Sequence, residues 1–145
     1  MPGKHALLSA SSSHRWLACP PSARLTEGMP DKSSSFAEQG TDAHRLCEYK
    51  LHVALGEAAK DPTENLSFFD EEMAECSDMY VQFVMEQLAK AKEACRDPVV
   101  FVEQRLDFSK WVPQGFGTGD CVIASDGTLF VIDLKYGLGV LVEAE

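Results

Sequence analysis

The stretch GTGDCVIASDGTLFVIDLKYG, residues 117–137, decides how the chain is read. It is a hydrophobic hairpin that carries two carboxylates and a lysine where charge is expensive. Asp126-Gly127 is a two-residue turn signal, because both central positions of such a turn take positive φ. That turn sets Ser125 against Thr128 and, stepping outward along both strands, Asp120 against Asp133. Cross-strand partners share a face with Cβ atoms about 4.5–5.5 Å apart. Lys135 follows Asp133 by two residues and points to the same side. Cys121, Ile123, Phe130, Ile132 and Leu134 form the opposite, apolar face. Two carboxylates held so close repel unless something neutralises them. Lys135 supplies one positive charge, and a divalent cation with oxygen ligands, such as magnesium, would supply the rest. The plainer alternative is a solvated face on which Lys135 pairs with one aspartate. Val122 and Val131 on that face predict that it is partly covered.

Period-two patterning extends upstream. VVFVEQRLDF (99–108) reads as a first strand, GTGDCVIAS (117–125) as a second and TLFVIDLKYG (128–137) as a third. Before Pro98 the period is helical. Met73, Cys76, Tyr80, Val84, Leu88, Ala91 and Cys95 make a stripe on a structural helix from about Phe69 to Cys95, with Asp70, Glu71 and Glu72 at its positive end. An earlier helix begins at a capping box, Ser35 to Glu38, and runs through FAEQGTDAHRLCEYKLHVALG. Its stripe of Ala37, Gly40 or Thr41, His44, Cys47 or Glu48, Leu51 and Leu55 turns His44 inward. Gly40 lowers helix propensity by roughly 1 kcal/mol relative to alanine, which predicts a close backbone approach there. Nearer the start, SASSSHRWLACPPSARL predicts one or two helical turns around Trp16 and Leu17, stopped at Pro20-Pro21. TEGMPDKSSS and EAAKDPTENLS read as loops.

The 145 residues fit one domain, 45% hydrophobic and 25% charged. We divide it into an N-terminal segment (1–34), a helical part (35–97) and a three-stranded sheet (98–145). The net charge is −10, and the thirteen Lys and Arg residues form no basic run. A protein that coats nucleic acid by charge alone is therefore excluded, and a polyanionic partner needs local contact helped by bound cations. No apolar run approaches the roughly 20 residues of a membrane span. The amino terminus lacks a secretory pattern, so no membrane partner and a cytoplasmic location are expected. The five cysteines, Cys19, Cys47, Cys76, Cys95 and Cys121, show no zinc-ligand spacing and read as free thiols. GFGTG leads into a strand, which disfavours a phosphate loop.

Together these residues resemble a known superfamily. Gly117 to Asp120 (G-x-x-D) followed by Asp133-Leu134-Lys135 (D-x-K) resembles the PD-(D/E)XK nuclease core. GTDAH, Gly40 to His44, resembles the helix motif of its RecB-like branch, and WLACPPSARL the "CP" segment that opens many such domains. The whole is most similar to a phage-associated, RecB-like exonuclease family. The resemblance implies an α/β fold of the restriction-endonuclease-like type, a small mixed sheet flanked by helices. It implies a Mg2+- or Mn2+-dependent deoxyribonuclease, an exonuclease more than an endonuclease, serving phage or prophage DNA replication or recombination. Its partners would be DNA and phage recombination or replication proteins.

Carried over by position, His44, Asp120 and Asp133 would be metal ligands, with Leu134 contributing its backbone carbonyl. Asp120, Asp133 and Lys135 would be catalytic, Lys135 orienting the attacking water. Glu103 and Glu38 are second-tier candidates: the first by a strand position where RecB-like proteins often have an acid, the second better explained by its capping box. Cys19 matches a position that holds an iron–sulfur cluster in some relatives together with three downstream cysteines. No such trio follows Lys135, so a cluster would need a longer form, and a buried thiol is expected for Cys19. RecB-like domains continue past the D-x-K strand into a helix with Gln and Tyr, and the chain stops before one. A truncated form is therefore expected. The competing reading is a truncated or degenerate nuclease-fold module that binds DNA or a phage protein without catalysis.

Overall fold

Two polar side chains start the two long helices. The hydroxyl of Ser34 accepts the Ala37 amide at 3.2 Å and opens α3 (Ser35–Ala54). The Asp70 carboxylate accepts the Met73 amide at 2.7 Å and opens α4 (Glu71–Ala94). Each supplies an acceptor to an amide that the helix itself cannot satisfy. The cap of α3 thus lies one residue before the Ser35–Glu38 box expected from the sequence. Glu38 sits in the first turn, and its own amide donates to the Ser34 carbonyl at 3.0 Å.

The computed structural model describes residues 6–29 and 34–137. Residues 30–33 of the expected loop, and the part of the 98–145 segment after Gly137, lie outside them. Before α3 stand a 3-10 turn (Ala10–Ser12), α1 (Ser13–Ala18) and α2 (Pro21–Leu25). The proline pair stops α1 as expected but also starts α2, with Pro21 at its first position, where a missing N–H costs nothing. A second 3-10 turn (Thr63–Asn65) lies between α3 and α4, and β1 (Val99–Asp107), β2 (Phe116–Ser125) and β3 (Thr128–Ile132) follow. The strands form one sheet in the order β1-β2-β3. The chain is therefore a mixed α/β protein.

It divides into two compact units. One combines the N-terminal helices with residues 104–119; the other contains residues 33–103 and 120–145. Within the first, the Trp16 indole donates to the Ser9 carbonyl at 2.9 Å, and Arg105 lies 4.0 Å over the Phe116 ring. Cys19 is exposed there, against the buried thiol expected.

In the second unit α3 packs on α4, and both pack on the sheet. Leu51 of α3, Val84, Leu88 and Ala91 of α4, and Cys121 and Ile123 of β2 form one buried cluster. Ala43, Leu46, Leu66 and Met73 form another. Lys50 clamps the helix pair, donating to the Ala74 carbonyl at 2.9 Å and pairing with Asp78 at 2.6 Å. The Ser125 hydroxyl ties the hairpin to α4 through the Ala91 carbonyl at 3.1 Å. On α3 the buried stripe is Asp42, Ala43, Leu46, Cys47 and Leu51, turned by about one residue from the expected one, so Ala37 is exposed and His44 lies at the stripe's margin.

The hairpin keeps its expected register. Ser125 pairs with Thr128, Ile123 with Phe130 and Cys121 with Ile132. Only Gly127 of the turn has positive φ (+74°), however, so the turn is not the expected one with both central residues left-handed. Strand β3 also ends at Ile132, five residues short of the expected end at Gly137. The ladder therefore stops one pair before Asp120 would meet Asp133.

Gly40 is not held by close packing. A Cβ there would meet the Tyr136 carbonyl oxygen at 3.9 Å, an ordinary contact rather than the tight approach expected. Gly40→Ala should therefore raise stability by about 0.5–1 kcal/mol, the helix propensity gained. A rise in the urea midpoint at unchanged slope would show it, and a fall would mean that the neighbouring backbone cannot accept a methyl group.

Candidate metal centre

Three elements of the second unit bring His44, Glu103 and Asp120 together. One ligand atom from each lies within 4.8 Å of the other two, and among the described residues no other group of three such side chains does so. His44 Nδ1 stands 3.4 Å from Asp120 Oδ1 and 3.8 Å from Glu103 Oε1. These are ion-pair distances, longer than well-formed hydrogen bonds.

Each side chain reaches the cluster by a different local rule. His44 lies at the edge of the buried stripe of α3, so its ring is held from one side and open on the other. Asp120 comes from β2 immediately before Cys121 and Ile123, which anchor the strand in the core. Glu103 follows Val102, which packs against the same core, and its backbone is left-handed at φ +47°. That conformation is strained for a residue with a Cβ, and such strain concentrates at functional sites. Glu103, second-tier in the sequence, is thus a full member. Its strand position was the only signal available; nothing in the sequence marks the left-handed backbone.

Asp120 is the most enclosed member, at 9% exposure. Its Oδ2 accepts the Leu134 amide at 2.6 Å. Burial pushes its carboxyl pKa up, but His44, the Leu134 amide and the charge of Lys135 outweigh this and hold it below the usual value. The Asp120 and Glu103 carboxylates in turn raise His44 from 6.5 to about 10 despite its partial burial. Nearby, burial lifts the thiols of Cys47 to about 12 and Cys121 to about 11, which keeps both in the protonated, weakly ligating form.

The remaining expected site residues stand elsewhere. Asp133 and Lys135 are more than half exposed and pair with each other, as the solvated alternative proposed for the hairpin. Asp133 does not join the three-membered cluster, because the strand that would have placed it opposite Asp120 has already ended. Leu134 meets the site through its amide, which donates to Asp120, rather than through the carbonyl expected as a ligand. Val122 is buried and Val131 exposed, so the charged face is covered on one strand only. Asp42, inside GTDAH, was not singled out from the sequence. It is buried and accepts the Phe68 amide at 3.0 Å, which pins the loop before α4 onto α3. Its i, i+4 spacing to Leu46 was the legible signal.

The donor set suits a hard divalent cation. The two carboxylates are ligands of the kind Mg2+ and Mn2+ take, the imidazole favours a transition metal over Mg2+, and modest side-chain movement would bring the three atoms to the roughly 3 Å mutual spacing of neighbouring octahedral ligands at about 2.1 Å. No helix among the described residues is long and apolar enough to cross a membrane. A family model described as a protein of unknown function, DUF2800, matches residues 5–145. No solved structure matches the chain.

The raised His44 pKa carries a sign. A basic group whose folded pKa lies above its unfolded one stabilises the fold fully below about pH 6.5, and that contribution disappears as the pH rises through about 10. In metal-free buffer, wild type should exceed His44→Gln in urea stability at pH 6, with the gap closing toward pH 10. A gap independent of pH would mean that the imidazolium and the two carboxylates do not interact.

Proposed function

We propose that this chain, which belongs to the DUF2800 family of proteins of unknown function, is a metal-dependent nuclease acting on DNA through a restriction-endonuclease-like core. The observation that carries this reading is the convergence of His44, Glu103 and Asp120 from a helix and two strands, with Glu103 in a strained backbone conformation. Ordinary surface acids do not require strain to reach solvent.

His44, Glu103 and Asp120 would hold Mg2+ or Mn2+. The cation would supply Lewis acidity, lowering the pKa of water and drawing charge off a phosphate. The protein's own groups do the rest. The Leu134 amide fixes Asp120 so that one oxygen is committed and the other faces His44. Lys135 is close enough to lower the Asp120 pKa while its ammonium remains largely exposed, so it can bear on a phosphate oxygen beside the cluster. Asp133 pairs with Lys135 and orients it. A chain of net charge −10 needs such an arrangement to hold a polyanion at all. The D-x-K and GTDAH resemblance supports hydrolysis of phosphodiester bonds, with phage or prophage replication or recombination as the setting.

A second reading has its own support. Asp133 and Lys135 pair with each other outside the cluster, which favours a module that binds DNA or a phage protein without cleaving it. Manganese-dependent loss of end-labelled linear DNA separates the two. Asp120→Asn and Glu103→Gln should each reduce the rate by on the order of a hundredfold or more, the scale of removing a group that stabilises a charged transition state. Lys135→Ala should slow cleavage while keeping the Mn2+-dependent rise in melting temperature. DNA retained on a gel but never cut would establish the binding module. Absence of both cleavage and any Mn2+ effect on melting would end the metal-centre reading.

A further inference from the structure

The groove beside the D-x-K segment has features that metal ligation does not use. Its cavity volume is about 330 Å3, with Cys76, Met79, Tyr80 and Phe83 of α4 on one side and Asp133, Lys135 and Tyr136 among the residues on the other. Met79 and Phe83 are 70% and 50% exposed, one helical turn apart, on a helix whose other face is core. Tyr80 packs against one hydrophobic cluster and Tyr136 against the other. Both tyrosines are therefore supported by the core while they line the groove.

We infer that this groove takes one unpaired base of a DNA strand, so that the substrate is single-stranded or frayed DNA. The inference rests on the nuclease reading. The volume suits a single base with its sugar. Three aromatic rings and a polarisable thioether offer stacking partners that accept any base, because every base has a π-face. A paired base cannot enter, since its faces are occupied within the duplex stack. Lys135 on the groove wall offers a cation to the adjoining phosphate. Leu134 both lines the groove and donates to Asp120, so a nucleotide seated there lies one residue from the metal-ligating carboxylate.

The test measures binding of a fluorescent phosphorothioate oligothymidine, which resists hydrolysis, and of a blunt hairpin duplex, both in Mn2+. Phe83 is half exposed, so replacing it does not open the core. Phe83→Ala should weaken strand binding roughly ten- to a hundredfold, the scale of one lost base–aromatic stack. Phe83→Trp should restore it. Duplex binding and the Mn2+-dependent melting shift should not change. Equal strand affinity in Phe83→Ala, an equal loss on the duplex, or a dimer of the wild type that Phe83→Ala dissolves would each overturn the base pocket and leave the nuclease reading intact. A wild type that neither binds DNA nor responds to Mn2+ would bring down both.

Discussion

A buried carboxylate must be answered by positive charge or by hydrogen-bond donors, and Asp120 is the place where this chain meets that constraint. The Leu134 amide satisfies one oxygen and His44 faces the other. The first tie fixes the segment after β3, and the second fixes the position of α3 against β2. Removing Asp120 would therefore loosen a helix, a strand end and a loop together.

The same constraint has two solutions. A proton on His44 neutralises part of the charge of Asp120 and Glu103, and a divalent cation would do so more completely while requiring that proton to leave. Stability of the metal-free protein and affinity for metal are thus opposite demands on one imidazole. A strained Glu103 fits both solutions: with Asp120 it favours the protonated His44, and it would supply a third ligand to a cation.

Legibility followed physical range. The register of the hairpin could be read because two-residue periodicity and an Asp-Gly turn are local, and it held even though the turn took a different φ pattern. The start of α3 could be read to within one residue, Ser34 capping in place of its neighbour Ser35, and that of α4 from the acidic run at Asp70. His44 was singled out through the GTDAH resemblance, and the structure places it beside Asp120 and Glu103. The end of β3 could not be read: IDLKYG continues the apolar alternation, yet Ile132 is the last paired residue. That Glu103 stands beside His44 and Asp120 could not be read for a related reason, because side-chain identity does not record a left-handed backbone.

Local order was written in the residues themselves: two long helices, then three strands, an acidic chain and a set of oxygen and nitrogen donors without basic runs. Which donors converge was decided by packing. α3 and α4 share a core with β2, and that shared core brings His44 to Asp120 and Glu103 while leaving Asp133 to Lys135. Short-range propensities act over a few residues, whereas 76 positions of chain separate His44 from Asp120. Only burial of the intervening helices could close that distance.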